Sequence, residues 1–305
     1  MDALSVATLV GGVLLDAALG EPRRFHPLVG FGNLTRALER RLYAPSRRRG
    51  ALGVALLIVP FVGLAIALRQ QATASRIAID VLLLYFALGH RSLHEHARPV
   101  AAALARGDRA AAQAFAARMV SRDSAAIEPA PAATESVLEN GNDGVFGALF
   151  WFCVAGGPGA LLFRLANTLD AMWGYRNARY ARFGWAAARF DDLLNWPSAR
   201  LTALTYALLG RTRQALRCWR EQAPAWDSPN AGPVMAAGAG ALGLRLGGPA
   251  RYEGQWHDRP PLGSGCAADA ASIESALRLV RHGVVLWIVV ILVAHLAGSA
   301  SHVVF

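Results

Sequence analysis

The chain has 305 residues, of which 54% are hydrophobic and only 17% charged, and its mean hydropathy is +0.30. Average globular chains carry about 25% charged residues, so this composition argues against an ordinary soluble protein and indicates that part of the chain faces lipid. The net charge of +10 comes entirely from arginine and suits anionic headgroups or anionic substrates. Because the arginines are dispersed between apolar runs and no nucleic-acid module is found, nucleic acid is excluded as a partner.

Four apolar stretches are predicted to form membrane helices. Residues 51–68 carry no charge, and the run that starts at 283 stays uncharged to the end of the sequence. Both are long enough to cross a hydrocarbon core of about 30 Å. Residues 4–19 and 77–89 are predicted as further spans, although each contains one aspartate. The stretch at 4–19 is not predicted to be a secretory signal peptide, because it lacks the basic residues with which such a peptide starts.

The distribution of arginine predicts the orientation. Residues 21–50 contain eight arginines, which places this loop in the cytoplasm by the positive-inside rule. We therefore predict a membrane region over 1–93 with three spans, a mostly cytoplasmic catalytic region over 94–282, and a C-terminal transmembrane helix over 283–305. Residues 144–166 are apolar but interrupted by Gly-Gly-Pro-Gly, and are predicted to form a broken helix buried in protein at membrane depth.

The fold class expected is all-α: a polytopic integral membrane protein with a helical cytoplasmic catalytic region. Hydrophobic spacing and the positions of Gly and Pro predict loops over 121–131 and 224–265. The helices expected in this region are 95–120 (interrupted near Gly107), 132–140, 164–173, 185–196, 201–209 and 234–246. The three cysteines are far apart in sequence, and neither a disulfide nor a zinc site is expected.

Carboxylates on one predicted helix indicate a cation site. Glu135 and Glu139 are four residues apart and share a face, and Asn140 and Asp143 follow directly. Clustered carboxylate and amide oxygens suit Mg²⁺ bound to phosphate. The alternative is a solvated helix end.

Two further polar groups follow apolar runs. Asn167 and Asp170 share a helix face, with helix capping as the alternative. The second group consists of Arg189, Asp191, Asp192 and Asn195. Adjacent aspartates cannot point the same way on a helix, so one is expected to pair with Arg189 while the other stays available.

Arginines and one histidine complete the candidates. Arg176 and Arg200 have the guanidinium fork that suits phosphate, with ordinary surface arginines as the alternative. His26 follows the first predicted span and is a candidate base, phosphate donor or helix cap. The chain has no P-loop, dinucleotide fingerprint or zinc motif.

Taken together, these motifs resemble those of the adenosylcobinamide-phosphate synthase family of cobalamin biosynthesis. The matching strings extend over about 230 residues. They are Leu15-Asp16-x3-Gly20-x-Pro22-x3-His26-Pro27, Arg122-Asp123, Glu135-Ser136-x2-Glu139-Asn140-x2-Asp143-Gly144, Gly157-x2-Ala160, Asn167-Thr168-Leu169-Asp170-x-Met172-x-Gly174-Tyr175-Arg176, Phe183-Gly184-Trp185-x3-Arg189-x-Asp191-Asp192-x2-Asn195, Ala199-Arg200-Leu201-Thr202, Ser228-Pro229-Asn230-Ala231-Gly232 and Leu246-Gly247-Gly248.

The resemblance implies an ATP-dependent ligase in the cell inner membrane, with its active site facing the cytoplasm. It would join aminopropanol phosphate, or aminopropanol, to a propionate of the corrinoid adenosylcobyric acid, with Mg²⁺ and ATP. Association with itself or with later membrane enzymes of the pathway is also expected. The catalytic residues implied are Glu135, Glu139, Asp143, Asp170, Asp191, Asp192 and His26. The metal ligands are Glu139, Asp143 and Asp192. The substrate-binding residues are Arg122, Asn140, Asn167, Arg176, Arg189, Asn195, Arg200 and Asn230. Trp173, Tyr175, Trp185 and the Gly-rich segment 230–248 are expected to line a groove for the corrin ring.

Two alternatives stay open. Pro131 stands where the family usually has an arginine, which motivates a catalytically reduced relative that binds corrinoid or organises the pathway. A membrane transporter would use Asp16 and Asp80 as an intramembrane pair. Transporters usually contain inverted repeats, and the sequence has none.

Overall fold

The computed structural model describes residues 3–22, 26–70, 72–252 and 254–301, with side chains up to 297. The described chain is mostly helical, with thirteen α-helices and five short β-strands. The helices are α1 (Ala3–Leu19), α2 (Pro27–Leu42), α3 (Arg47–Arg69), α4 (Thr73–Ala87), α5 (His90–Ala105), α6 (Arg109–Ala116), α7 (Pro129–Gly141), α8 (Gly147–Trp173), α9 (Tyr180–Phe183), α10 (Trp185–Leu209), α11 (Thr212–Gln222), α12 (Ala231–Leu242) and α13 (Ala270–Ser301). The strands are β1 (Leu244–Gly247), β2 (Ala250–Tyr252), β3 (Gln255–His257), β4 (Pro261–Gly263) and β5 (Cys266–Ala267).

Among the described residues, four helical segments are long and apolar enough to cross a membrane, which points to a membrane protein. They are Arg47–Arg69, Thr73–Ala105, Pro129–Trp173 and Ala270–Ala297. The predicted span at the start of the chain forms α1, which is apolar but has only 17 residues. In Pro129–Trp173, 61% of the most apolar window is buried inside the protein, against 22% in Arg47–Arg69. This burial supports the prediction that the segment around 144–166 is enclosed by protein.

The chain forms two compact units, each assembled from separate stretches. The first contains Met1–Gly89, Gly147–Asn195 and Val290–Phe305, and the second contains His90–Phe146 and Trp196–Val289. The predicted regions 1–93, 94–282 and 283–305 concern position relative to the membrane, and that division stays a prediction.

In the first unit, α8 is broken at Gly156, as the Gly-Gly-Pro-Gly string predicts. Gly156 has a φ of +68° and a ψ of −156°, which are not helical values. Asp80, buried on α4, accepts a hydrogen bond of 2.9 Å from the Gly157 N–H through Oδ1. Its Oδ2 lies 3.0 Å from Arg69 Nε. Asp80 therefore serves the backbone that the break exposes.

Glu39 on α2 joins distant parts of the first unit. One carboxylate oxygen accepts hydrogen bonds from the Arg179 guanidinium at 2.7 Å and the Tyr180 hydroxyl at 3.0 Å. The other accepts one from Trp173 Nε1 at 3.0 Å. Trp173 is fully buried and packs against Phe183, so the expectation that it lines a substrate groove is wrong.

The contact between α3 and the segment around α9 requires a glycine. A Cβ added to Gly50 would lie 1.9 Å from the Phe183 carbonyl oxygen. We expect Gly50→Ala to lower the stability by about 1–3 kcal/mol or more, because a backbone atom has to move. Gly63→Ala on the same helix meets nothing within 4 Å and is the matched control. The thermal unfolding midpoint in detergent measures both; equal midpoints for the two variants would contradict the contact.

In the second unit, α7 packs against α5, α6 and α12. Gly107, at a φ of +74°, separates α5 from α6 as predicted. The helix α7 begins at Pro129, earlier than predicted, because a proline in the first turn lacks only an N–H that would have no helical partner.

The two helices predicted over 185–196 and 201–209 form one helix, α10, that continues through Pro197. Ser198 and Ala199 beside this proline are fully buried, and their packing outweighs the lost backbone hydrogen bond.

The fold was predicted to be all-α, and the five strands correct this prediction. They lie within residues 244–267, mostly where a loop was predicted. β1 pairs antiparallel with β4 and parallel with β5, and β2 pairs antiparallel with β3. The runs are only two to four residues long, too short for an alternating pattern to stand out in the sequence. Asp123 holds the β2–β3 hairpin, since its backbone N–H bonds to the Arg251 carbonyl and its Oδ2 accepts from the Gly254 N–H.

Candidate functional site

The second unit contains a polar cavity of about 670 Å³. It lies between α7 and the segments 119–122, 225–231 and 252–260, and we call it the Glu135 cavity. Its polar lining residues are Ser121, Arg122, Glu135, Ser136, Glu139, Asn140, Asp227, Ser228, Tyr252, His257, Asp258 and Arg259.

Glu135 holds two arginines in the wall of this cavity. Arg259 places Nη1 at 2.9 Å from Oε2 and Nη2 at 3.3 Å from Oε1, and Arg122 bonds to Oε2 as well. The Gly247 N–H donates to Oε1 at 2.9 Å. The Glu135 side chain is only 3% exposed, and those of Arg122 and Arg259 are 12% and 13% exposed. One buried carboxylate thus faces two guanidinium groups, so this group of three side chains has a net charge of +1.

The guanidinium of Arg122 stays charged despite its burial. Burial alone lowers its pKa, but the charge of Glu135 and the neighbouring Tyr252 hydroxyl outweigh that effect and leave the pKa raised. A pair of fixed cations beside a cavity is suited to phosphate or carboxylate groups. Arg122 therefore lines a cavity suited to anions, and its role in substrate binding stays a prediction. The contacts of Glu135 are those of a residue that positions arginines. A catalytic role for Glu135 stays a prediction.

Glu139 and Asn140 line the same cavity one turn further along α7. Asn140 donates to the Ser136 carbonyl at 2.9 Å, and Ser136 in turn donates to the Met119 carbonyl at 3.1 Å. The shared helix face predicted for Glu135 and Glu139 is therefore realised, with both side chains at one cavity.

Asp143 lies apart from that face. It belongs to a π-helical turn, Asn142–Phe146, and is not among the described residues that line the Glu135 cavity. Its Oδ1 accepts a hydrogen bond of 2.8 Å from Asn142, whose own Oδ1 accepts one of 3.0 Å from Thr202. Burial and the charge of Asp143 raise the pKa of Tyr206, which keeps this phenol protonated.

The first unit contains a second polar cluster, formed by Asn167, Asp170, Arg176, Arg189, Asp191, Asp192 and Asn195. Asp191 is buried and accepts hydrogen bonds from Asn195 at 3.0 Å and from Asn167 at 3.4 Å. Asp192 pairs with Arg189 at 3.1 Å. One aspartate does pair with Arg189 as predicted, but the other is engaged by two asparagines. We call this set the Asp191–Asp192 cluster.

Asp192 combines partial burial with opposing charges. Burial raises its pKa, and the nearby Arg189 and Arg176 lower it, with a net rise. Asp170 lies close enough for its charge to interact with that of Asp192. The charges of Asp170, Arg176, Arg189 and Asp192 thus influence one another within this cluster.

His26 caps a helix. Its Nδ1 accepts a hydrogen bond of 3.2 Å from the Leu28 N–H at the start of α2, and its Nε2 lies 3.4 Å from Glu21. Both ring nitrogens are therefore engaged, and of the roles predicted for His26 the geometry favours the cap. A role as base stays a prediction.

Arg200 and Asn230 form a separate pair in the second unit. Arg200 Nη1 donates to Asn230 Oδ1 at 2.6 Å, and Nη2 donates to the Pro229 carbonyl at 2.9 Å. Burial lowers the pKa of Arg200. Because Ser228 and Ala231 line the Glu135 cavity, this pair fixes the segment that forms one of its edges.

A shared metal site formed by Glu139, Asp143 and Asp192 stays a prediction. Glu139 and Asp143 belong to the second unit and Asp192 to the first. Over the described ranges, no group of three or more His, Cys, Asp or Glu side chains is arranged to hold a metal ion. Mg²⁺ that accompanies a nucleotide commonly uses only one or two carboxylates, with phosphates and water as the other ligands. A single carboxylate in a cavity, such as Glu139, fits that kind of binding.

Arg259 and Trp226 are among the cavity residues that the sequence did not predict. Arg259 is separated from Glu135 by 124 residues, and nothing in its local sequence distinguishes it from other arginines. Trp226 lines the cavity with the Arg259 guanidinium 5.4 Å from its ring centre. Within the described part of the chain, its buried Nε1 has no hydrogen-bond partner.

The fold and the two polar clusters define a mostly helical protein of the membrane type, with arginines and carboxylates gathered around a cavity. The chain belongs to the CobD/Cbib family, since the family model described as CobD/Cbib protein matches residues 9–280.

Curated relatives agree with this assignment over nearly their full length. The chain is 58% identical over 292 residues to the cobalamin biosynthesis protein CobD of Stutzerimonas stutzeri, covering 93% of this chain and 96% of the relative. It is 56% identical over 302 residues to the protein of the same name from Chromobacterium violaceum, covering 95% and 96%. The Mycobacterium tuberculosis relative of that name is 40% identical over 287 residues, covering 91% of each chain. No solved structure matches the chain.

Proposed function

We propose that the protein is an ATP-dependent amide ligase of cobalamin biosynthesis. It joins aminopropanol phosphate, or aminopropanol, to a propionate of adenosylcobyric acid and forms adenosylcobinamide phosphate, or adenosylcobinamide from the unphosphorylated amine. It acts in the cell inner membrane with its site facing the cytoplasm. Membership of the CobD/Cbib family supports the pathway, and the motifs of the sequence support the reaction.

The observation that carries the proposal is the arrangement of charges in the Glu135 cavity. Glu135 fixes Arg122 and Arg259, while Glu139 lines the same space. A ligase that uses ATP needs cations for the phosphate oxygens and a carboxylate for the accompanying metal ion.

The chemistry proceeds in two steps. The propionate oxygen attacks the γ-phosphorus of ATP, the bond to ADP breaks, and an acyl phosphate forms. The amine nitrogen then attacks the acyl carbon, phosphate leaves, and the nitrogen loses a proton. In the first step Arg122 and Arg259 hold the phosphoryl oxygens and offset their developing charge. In the second, a carboxylate that lines the cavity, such as Asp258, can accept the proton.

When bound, Mg²⁺ supplies positive charge to the triphosphate, and Glu139 and Asn140 are the residues that would hold it. For Arg176 and Arg189 of the Asp191–Asp192 cluster, substrate binding stays a prediction.

An assay of coupling tests the proposal. Purified protein in detergent is incubated with adenosylcobyric acid, aminopropanol phosphate, MgCl₂ and ATP, and the coupled product and ADP are measured by mass spectrometry. We expect one ADP for each amide formed, and aminopropanol in a parallel reaction identifies the preferred amine.

Three controls make the outcome decisive. Omitting the amine should abolish the product, and the exposed variant Glu221→Gln should retain wild-type activity. The S. stutzeri relative, assayed in parallel, reports whether the conditions support turnover. Binding of corrinoid without product, where that relative is active, would reject the ligase and favour a catalytically reduced corrinoid-binding protein.

A further inference from the structure

Asp123 directly follows Arg122 but is not among the described residues that line the Glu135 cavity. The Arg122 guanidinium bonds to Glu135 in the cavity wall, whereas the polar contacts of Asp123 go to the β2–β3 hairpin. Its backbone N–H donates to the Arg251 carbonyl at 3.0 Å, and its Oδ2 accepts the Gly254 N–H at 2.9 Å. The same Oδ2 lies 3.3 Å from Arg251 Nε. Asp123 therefore contacts the hairpin through both its backbone and its side chain.

Local structure does not explain these contacts. An aspartate directly before a helical turn usually caps the turn with its carboxylate. The turn that follows is the 3₁₀ segment Ser124–Ala126, and over these described residues the Asp123 side chain makes no capping hydrogen bond. Its carboxylate instead reaches Gly254, which is 131 residues away in sequence. The contact therefore serves the tertiary structure around the hairpin.

Two carboxylates hold the segment 247–260 at different places. Glu135 holds its ends, since it accepts the Gly247 N–H at 2.9 Å and a hydrogen bond of 2.9 Å from the Arg259 guanidinium. Asp123 holds the hairpin between these ends. The segment supplies part of the lining of the Glu135 cavity, namely Tyr252, His257, Asp258, Arg259 and Pro260. Both carboxylates therefore determine where these lining residues lie.

Tyr252 connects the hairpin to Arg122. Arg251 and Tyr252 are adjacent on β2, and successive side chains of a strand point to opposite faces. The Arg251 side chain lies beside Asp123, so Tyr252 points the other way and lines the cavity. There its hydroxyl accepts a hydrogen bond from the Arg122 side chain. Arg122 is thus held between Glu135 and Tyr252, and the place of Tyr252 depends on Asp123.

We propose that Asp123 is a positioning residue of the Glu135 cavity. By holding the β2–β3 hairpin, it places the Tyr252 hydroxyl so that Arg122 is oriented towards an anionic group in the cavity. In this role Asp123 acts through the hairpin and does not contact the substrate. The consequence for turnover rests on the function proposed above, in which Arg122 contacts the phosphoryl oxygens of ATP.

Limited proteolysis tests whether Asp123 holds the hairpin, and it requires no enzymatic activity. The purified protein in detergent is treated with trypsin, and cleavage of the Arg251–Tyr252 bond is followed by mass spectrometry. We expect Asp123→Ala to be cleaved about tenfold faster than the wild type, because a hydrogen bond that opposes local opening is lost. Asp123→Asn should be cleaved at nearly the wild-type rate, since its amide oxygen can still accept the Gly254 N–H. Asp108→Ala removes an exposed aspartate that also accepts a backbone N–H, and it is the matched control.

Binding of tripolyphosphate tests the effect on Arg122. Isothermal titration calorimetry measures the affinity of the purified protein, which should fall about tenfold in Asp123→Ala and by a similar factor in Tyr252→Phe. The double variant should bind no more weakly than Asp123→Ala alone, because both changes remove the same contact with Arg122. A merely structural role for Asp123 would give independent losses that add in the double variant. The same pattern is expected for kcat/KM with MgATP.

The outcomes separate this inference from the proposed ligation. A wild type that forms no amide rejects the ligase, whereas the positioning role stands if Asp123→Ala loosens the hairpin and weakens tripolyphosphate binding. Unchanged cleavage in Asp123→Ala, or additive losses in the double variant, would overturn the role of Asp123 even in an active ligase. So would faster cleavage with unchanged tripolyphosphate affinity, or a wild type that does not bind tripolyphosphate.

Discussion

Glu139→Gln is expected to lower the rate of amide formation by roughly 100- to 1,000-fold, while the protein stays folded. Glutamine keeps the size of the side chain but removes the negative charge that, in the proposed function, would hold the metal ion of the triphosphate in the Glu135 cavity. The KM for MgATP should rise and kcat should fall, because the same carboxylate acts in binding and in phosphoryl transfer. Steady-state kinetics with ATP as the varied substrate measure both.

The dependence of the activity on the Mg²⁺ concentration distinguishes a metal ligand at position 139 from a general base. If Glu139 binds the metal, raising the MgCl₂ concentration should partly restore Glu139→Gln. A general base would show no such recovery. Glu221→Gln is the matched control, because it removes an exposed carboxylate from the same unit. Wild-type turnover in Glu139→Gln would show that the cavity is not where the nucleotide reacts.

Glu135→Ala should lower the free energy of unfolding by about 3–5 kcal/mol. The reason is that Arg122 and Arg259 are nearly buried, and both would lose their carboxylate partner. The Gly247 N–H would lose its acceptor as well. Equilibrium unfolding in mixed micelles of mild detergent and SDS measures the difference.

An exposed ion pair provides the comparison for Glu135. Glu221→Ala removes the partner of Arg217 on α11, where both side chains are more than half exposed, and should change stability by less than about 1 kcal/mol. Adding Arg122→Leu and Arg259→Leu to Glu135→Ala should restore part of the loss, since no buried charge is then left alone. If Glu135→Ala and Glu221→Ala unfold alike, the buried group does not stabilise the second unit.

Local spacing predicted the parts of the structure that depend on neighbours in sequence. The pairing of Asp192 with Arg189 follows from an i,i+3 relation, and the break at Gly156 follows from a Gly-Gly-Pro-Gly string. The ends of α7 and α10 were less predictable because Pro129 and Pro197 can either end a helix or be tolerated in it. Burial of neighbouring residues decides between these outcomes, and a single sequence does not contain that information.

Contacts between distant residues account for what could not be predicted. Glu135 meets Arg259 across 124 residues, and Glu39 meets Trp173 across 134. With 31 arginines in the chain, no local feature singles out the two that share one carboxylate. The resemblance to a family identified Glu135 and Arg122 as important, but only the fold shows that they belong to one group.

The hydrogen bond from the Gly157 N–H to Asp80, at the break in α8, has a consequence for the order in which the helices enter the membrane. Arg69 and Asp80 are eleven residues apart and leave the ribosome almost together, whereas Gly157 follows 77 residues after Asp80. An isolated carboxylate entering lipid is costly, but this one can reach the bilayer with a guanidinium already beside it. The hairpin of α3 and α4 can therefore integrate first and present a ready acceptor to α8 when that helix emerges. Integration of stalled nascent chains that end before or after residue 157 would reveal this order.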